Sequence, residues 1–113
     1  MLLLKVTNAG REELHPPRLE RALTAVCLRI SELGLKPGEI QMKCLGNLYV
    51  NGKSAPLKID AELPPASEAL EERVIRQLAK AIGETARHLY LENGWDPRRV
   101  EVTMGGTGIS WSG

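Results

Sequence analysis

Two stretches of this chain, sixty positions apart, repeat one pattern: Gly34-Leu35-Lys36-Pro37-Gly38-Glu39-Ile40-Gln41-Met42 and Gly94-Trp95-Asp96-Pro97-Arg98-Arg99-Val100-Glu101-Val102. In each, a glycine ends a helical pattern and a proline three residues on blocks its continuation. An apolar-polar-apolar run then begins a strand. The chain therefore reads as two copies of a β-α-β unit, which restricts the fold to architectures with internal two-fold pseudo-symmetry.

The rest of the sequence fits one domain spanning residues 1-113. A chain of 113 residues buries about two-thirds of its unfolded surface in a single core. Fifteen basic residues against fourteen acidic ones leave no electrostatic footprint for nucleic acid. The apolar run from Met1 to Leu4 is too short for a signal peptide, and no later run approaches the roughly 18 residues of a membrane span. A cytoplasmic protein with no nucleic-acid or membrane partner is expected. Cys27 falls on the apolar face of a predicted helix and Cys44 at the end of a predicted strand. With no His or Cys at ligand spacing, both read as buried, reduced packing residues, and no metal or cofactor is expected.

Leu2, Leu4 and Val6 alternate with Leu3, Lys5 and Thr7 as a first strand. Pro16-Pro17 leads into a helix with Leu19, Leu23, Val26, Ile30 and Leu33 on one stripe, ending at Gly34. Ile40, Met42 and Cys44 make a second strand, Leu48 to Val50 a short continuation, and Asn51-Gly52 a hairpin signal. Leu57, Ile59, Ala61 and Leu63 form a third strand. Ser67 is placed to cap a long helix carrying Leu70, Val74, Leu78, Ile82, Ala86 and Leu89. Glu68, Glu71 and Glu72 suit its dipole. Val100, Val102 and Met104 form a fourth strand, and Gly105 to Gly108 turn the chain into a short tail ending in a possible small hairpin.

The class is α+β, in the order β-α-β-β-α-β. Two helices should cover one face of a four-stranded sheet. Alternation alone leaves apolar side chains on the other face, with self-association to cover them. Periodicity leaves a ferredoxin-like sandwich open beside a pseudo-symmetric arrangement of two β-α-β units.

Residue identities favour the second. Thr7-Asn8 followed by Arg11, Gly34-Leu35-Lys36-Pro37, and Tyr49-Val50-Asn51-Gly52-Lys53-Ser54-Ala55-Pro56 come in an order that resembles the tautomerase superfamily. So do Asp96-Pro97-Arg98-Arg99-Val100 and the tail closing on Ile109-Ser110-Trp111. Within the superfamily the chain looks similar to the branch of macrophage migration inhibitory factor and dopachrome tautomerase. The resemblance implies a homotrimer with pockets at subunit boundaries. It also implies an amino-terminal proline that moves a proton between carbon and oxygen of an α-keto acid.

Here the residue in that register is Met1, followed by Leu2, which is too large to favour methionine removal. A primary α-amino group has an ordinary pKa of about 7.7 to 8.0, which desolvation and a nearby cation would lower, so Met1 is the candidate base. The resemblance assigns Lys36 to a substrate carboxylate, with Arg11 beside the pocket. It puts Glu101 and Thr103 where relatives often present tyrosine and asparagine. An acidic Glu101 there disfavours an aromatic keto acid. His15 and His88 lack a nucleophile or acid in register, and Gly105 to Gly108 precede no helix that would make them a phosphate cradle. Trp95 and Trp111 read as anchors. The expected function is keto-enol isomerisation of a small α-keto acid with a weakened base; the alternative is a non-catalytic trimer that binds a small anion or assembles with a partner.

Overall fold

The computed structural model describes residues 1–10, 15–46, 49–50, 53–54, 56–63, 70–95 and 99–113, with 49–50 and 53–54 described by their backbone. Arg11, Asn51-Gly52, Pro64-Pro65, Ser67, Glu68 and Asp96-Pro97-Arg98 lie outside them. The chain runs β1 (Leu2–Thr7), α1 (His15–Leu28), β2 (Ile40–Cys44), β3 (Tyr49–Val50), β4 (Lys53–Ser54), β5 (Leu57–Glu62), α2 (Glu72–Glu92), β6 (Val100–Met104) and β7 (Ile109–Ser112). β3 and β4 pair with each other, and the other five strands form one sheet in the order β2-β1-β5-β6-β7.

The repeat is visible as geometry. β1 and β2 are parallel neighbours with Leu2 opposite Ile40, and β5 and β6 are parallel neighbours with Leu57 opposite Val100. Leu45 N–H donates to Val6 O at 2.8 Å, and Gly105 N–H donates to Ala61 O at the same distance. These matches relate the leading strands of the two units by a shift of 55 positions and the second strands by a shift of 60. Gly34 and Gly94 both take left-handed φ, +61° and +70°, the conformation that lets a glycine end a helical segment. A ferredoxin-like sandwich splits each β-α-β unit with an intervening strand. Here each unit's two strands touch, so that alternative is excluded.

Alternation decides which side each strand buries. Leu2, Leu4, Val6, Leu57, Ile59, Ala61, Val100, Val102 and Met104 turn inward and are buried. Leu19, Leu23 and Cys27 of α1 complete the core with Val74, Leu78, Ile82 and Ala86 of α2. Four expectations about the helices and the sheet need correction. The sheet has five strands, because the tail joins it as β7 beside β6. α1 stops at Leu28, and Ser31–Leu33 form a separate 3-10 turn that keeps Ile30 and Leu33 on the inner side. α2 begins at Glu72 with Glu71 as its cap, so Leu70 packs on the core from outside the helix.

The fourth correction concerns the sheet's outer face, which is polar. It carries Lys5, Thr7, Gln41, Lys43, Lys58, Asp60, Glu62, Glu101, Thr103, Ser110 and Ser112, and within the five strands Leu3 is the apolar exception. Lys5 and Glu62 are ion-paired across it at 2.5 Å. Among the described residues no helix is long and apolar enough to cross a membrane.

The two thiols differ. Cys27 is buried, and burial pushes its pKa from 9.0 up to about 12. Cys44 is exposed, contrary to expectation, because burial fades along edge strand β2 from Ile40 outward. Tyr90 is raised by burial and, secondarily, by the charge Cys44 acquires on ionising. Above pH 9 the unfolded chain sheds the Cys27 proton that the folded chain keeps, and above pH 10 the same holds for Tyr90. Stability is therefore expected to be complete below about pH 9 and to fall as pH rises toward 12. Urea melts at stepped alkaline pH check this. At pH 8 a thiol reagent should modify Cys44 quickly and Cys27 only after unfolding; equal rates would contradict the burial of Cys27.

Candidate functional site

The parallel register of β1 and β2 puts their starts side by side. Met1 precedes β1 and Lys36 precedes the 3-10 turn Pro37–Glu39 that opens β2, so both occupy one end of the sheet. The turn is fixed from within: Lys36 N–H donates to Glu39 Oε1 at 3.1 Å, and Glu39 N–H donates to Lys36 O at 2.9 Å. That pair anchors the backbone of Lys36 while its side chain faces solvent. Met1 is also exposed, at 56%, so water reaches its amine within the single chain. An ammonium and an amine at one sheet end can hold an acid's carboxylate beside a proton acceptor.

Glu101 and Thr103 lie elsewhere. β5 is antiparallel to β1, so Thr7 faces Lys58, and Lys58 in turn faces Glu101; Lys5 faces Asp60, and Asp60 faces Thr103. Glu101 is therefore level with the far end of β1, six residues from Met1, or roughly 20 Å along the strand direction. Within one chain Met1 and Lys36 lie at the same end of the sheet, and Glu101 and Thr103 lie away from it. Arg11 lies outside the described residues. Pro56 occupies the place in the second unit that Met1 occupies in the first, but its nitrogen is an amide and carries no base. Its carbonyl accepts from Asn8 Nδ2 at 2.9 Å, tying the end of β1 to the start of β5.

Near that far end sits a cluster that the sequence shows only in pieces, with Trp95 as an anchor and His15 as a histidine without a catalytic partner. His15 is the first residue of α1, and its Nδ1 lies 2.9 Å from Ala9 O; a carbonyl only accepts, so that nitrogen carries the proton. Tyr90 Oη–H donates to the same carbonyl. His15 and Trp95 stack with centroids 3.7 Å apart, Tyr90 meets Trp95 edge-on at 5.3 Å, and Arg18 lies 5.9 Å from the Trp95 ring. Arg18 Nη1 also donates to Asn93 Oδ1 at 2.6 Å. These contacts staple both helices to the end of β1. His88 pairs with Glu92 at 2.8 Å on the exposed side of α2, which is helix-surface electrostatics.

Among the hollows lined by described residues, two flank these elements. One of about 580 Å³ lies between the helices on the outside, lined by Ala22, Thr85, His88, Leu89 and Leu91. Its position among exposed helix residues separates it from Met1 and Lys36. The other, about 210 Å³, is lined by Arg99, Glu101, Thr103, Ser110, Trp111 and Ser112 on β6 and β7. Among the described residues no three His, Cys, Asp or Glu side chains converge as a metal site.

No family model matches the sequence, and no curated protein matches it. Solved structures do match. A native fused 4-OT has a TM-score of 0.66 and 19% identity over 96% of this chain and 94% of its own. A fused 4-OT symmetric trimer has a TM-score of 0.65 and 16% identity, with the same coverage of both chains. N1, a member of the cis-3-chloroacrylic acid dehalogenase family, has a TM-score of 0.64 and 14% identity over 90% of this chain and 72% of its own. These structures belong to the tautomerase superfamily, and the chain has the fold of that superfamily. At such identities the likeness is one of fold.

Proposed function

We propose that this chain is a tautomerase-like protein that takes a small α-keto acid at the Met1 and Lys36 end of its sheet and isomerises it between keto and enol forms with a weakened base. One observation supports the reading: in the register of β1 and β2, the residue ahead of β1 and Lys36, ahead of the turn that opens β2, belong to the same end of the sheet. Lys36 holds the carboxylate. The Met1 amine takes the proton from C3, and the same amine, now an ammonium, returns it to that carbon or passes it to the carbonyl oxygen. The protein works as a homotrimer in the cytoplasm. The separation of Met1 from Glu101 and Thr103 within one chain supports assembly, since a neighbouring copy can bring these side chains to the pocket. Arg11 acts with Lys36 on the anion.

The test is deuterium exchange at C3 of pyruvate, followed by NMR with the intact chain. Slow, saturable exchange is expected. Lys36→Met should raise KM about tenfold with little change in kcat, as loss of one charge-assisted contact does, and carbamoylating the α-amine should abolish exchange. A non-catalytic trimer that binds the same anion is the second reading, favoured by the exposure of Met1 and by methionine standing where the resemblance calls for proline. Saturable pyruvate binding that needs Lys36, with no exchange above buffer, would decide for it.

A further inference from the structure

We propose that Asn93-Gly94 is a latent deamidation site, kept as asparagine by a latch that Arg18 of α1 forms across the end of α2, and converted to aspartate and isoaspartate once that latch is lost. The site lies on the helix side of the sheet and does not depend on the reading given for Met1 and Lys36.

Sequence supplies the reactivity. An asparagine followed by glycine is the pair most prone to this reaction, because glycine has no Cβ to shield its backbone nitrogen or restrict its φ. The Gly94 nitrogen loses its proton to solvent base and bonds to Cγ of Asn93. The Cγ–Nδ2 bond breaks and ammonia leaves, closing a succinimide ring. Water then opens the ring at Cγ to give aspartate, or at the backbone carbonyl to give isoaspartate. Net, one water is consumed and one ammonia released. Asn93 is half-buried and Gly94 exposed, so solvent reaches both.

The fold opposes ring closure at three points. Closure needs the Gly94 nitrogen on the same side of the Cα–C bond as Cβ of Asn93. Asn93 has a ψ of 4°, a rotation of about 120° from that arrangement at a tetrahedral Cα. The backbone is held there by a Schellman cap: Gly94 has φ of +70°, its N–H donates to Leu91 O at 3.2 Å, and Trp95 N–H donates to Tyr90 O at 2.9 Å. The side-chain amide is pinned at both ends, since Arg18 Nη1 donates to its Oδ1 at 2.6 Å and its Nδ2 donates to Leu89 O at 2.8 Å. Trp95 in turn stacks on His15 at 3.7 Å, with Arg18 5.9 Å from its ring. One guanidinium therefore restrains both the amide that would be attacked and the residue after the nucleophile.

Arg18 is the part of this clamp that opens most readily. It reaches Asn93 across the two helices from 75 positions away and is exposed, so water competes for the bond. Without it the amide keeps Leu89 O alone. The products then work against the cap. Aspartate puts a negative charge at a helix C-terminus, which the dipole disfavours, and isoaspartate lengthens the backbone inside the Schellman turn. Either change loosens the placement of Trp95 at the start of the second repeat.

Peptide mass spectrometry tests the proposal on the intact chain, incubated at mildly alkaline pH well below its melting temperature and digested afterwards. Conversion at Asn93 should be at least about a hundredfold slower in the folded chain than in urea, since the Arg18 bond and the cap bonds must all break first. Arg18→Ala should speed it about tenfold, the factor of one charge-assisted hydrogen bond. Ile59→Val, a mild core change away from the cap, should leave the rate at the parent's. Isoaspartate should accompany aspartate, as opening of a ring requires. Equal rates in the folded chain and in urea overturn the proposal, as does an Arg18→Ala rate no faster than that of the parent or of Ile59→Val. Aspartate formed without isoaspartate would show direct hydrolysis of the amide and overturns it too.

Discussion

Gly83→Ala is expected to destabilise the protein by about 2 kcal/mol, the reverse of the usual result in a helix interior, where alanine is better than glycine by about 1 kcal/mol. The reason is contact. A Cβ at residue 83 would stand 2.0 Å from Trp111 Cε3 and 2.2 Å from Cζ3. Trp111 packs against the core cluster, so the indole can move only by displacing its neighbours, and overpacking of this kind costs about 1–3 kcal/mol. For a domain of this length the melting temperature should fall by roughly 10 °C. In a Trp111→Leu background the same substitution should be neutral or stabilising, so the two changes are coupled. A Gly83→Ala variant that melts above the parent would show that the indole does not rest on α2.

That contact also explains what the sequence hides. The alternation of β1, β5 and β6, the repeat and the α+β class are legible because each rests on local spacing. β7 is four residues long, and its place beside β6 depends on an indole meeting a glycine 28 positions earlier, which no local pattern records. The end of α1 is obscured for another reason. Ile30 and Leu33 keep helical spacing to Leu23 and Cys27, and a 3-10 turn preserves their inward side after the α-helix has stopped. Cys44 keeps the phase of the core but sits at the end of an edge strand. The polar outer face, by contrast, was readable from the alternate residues Lys5, Lys58, Asp60, Glu62, Glu101 and Thr103 themselves.

The candidate site divides along the same line. Lys36 and Met1 are linked by the repeat, since the end of the first helical segment must return to the start of the sheet. Glu101 and Thr103 are separated from them by the antiparallel pairing of β1 with β5, a register that a single sequence does not encode. Arg99 has no marker beyond its place two residues before Glu101. The signal that could have found it is the sign reversal between Glu39 and Arg99 at matched positions of the two repeats.

Leu4→Ala and Leu3→Ala, adjacent in sequence, are expected to differ in kind. Leu4 is 1% exposed within the core cluster, and removing a side chain so enclosed costs about 2–5 kcal/mol, because lost burial and the residual cavity add. The loss should appear equally at every protein concentration. Leu3 points to the outer face, among Lys5, Gln41, Lys43 and Glu62, where a single chain leaves it partly in water. If copies associate over that face, Leu3 is buried only in the assembly, and the free energy it contributes scales with protein concentration. The parent's melting temperature is then expected to rise with concentration, and Leu3→Ala to flatten that rise while leaving the dilute melting temperature near the parent's. Thermal melts across a hundredfold concentration range distinguish the cases. A parent with no concentration dependence refutes association over this face, and a Leu3→Ala loss as large as that of Leu4→Ala at all concentrations places Leu3 in the core of the chain itself.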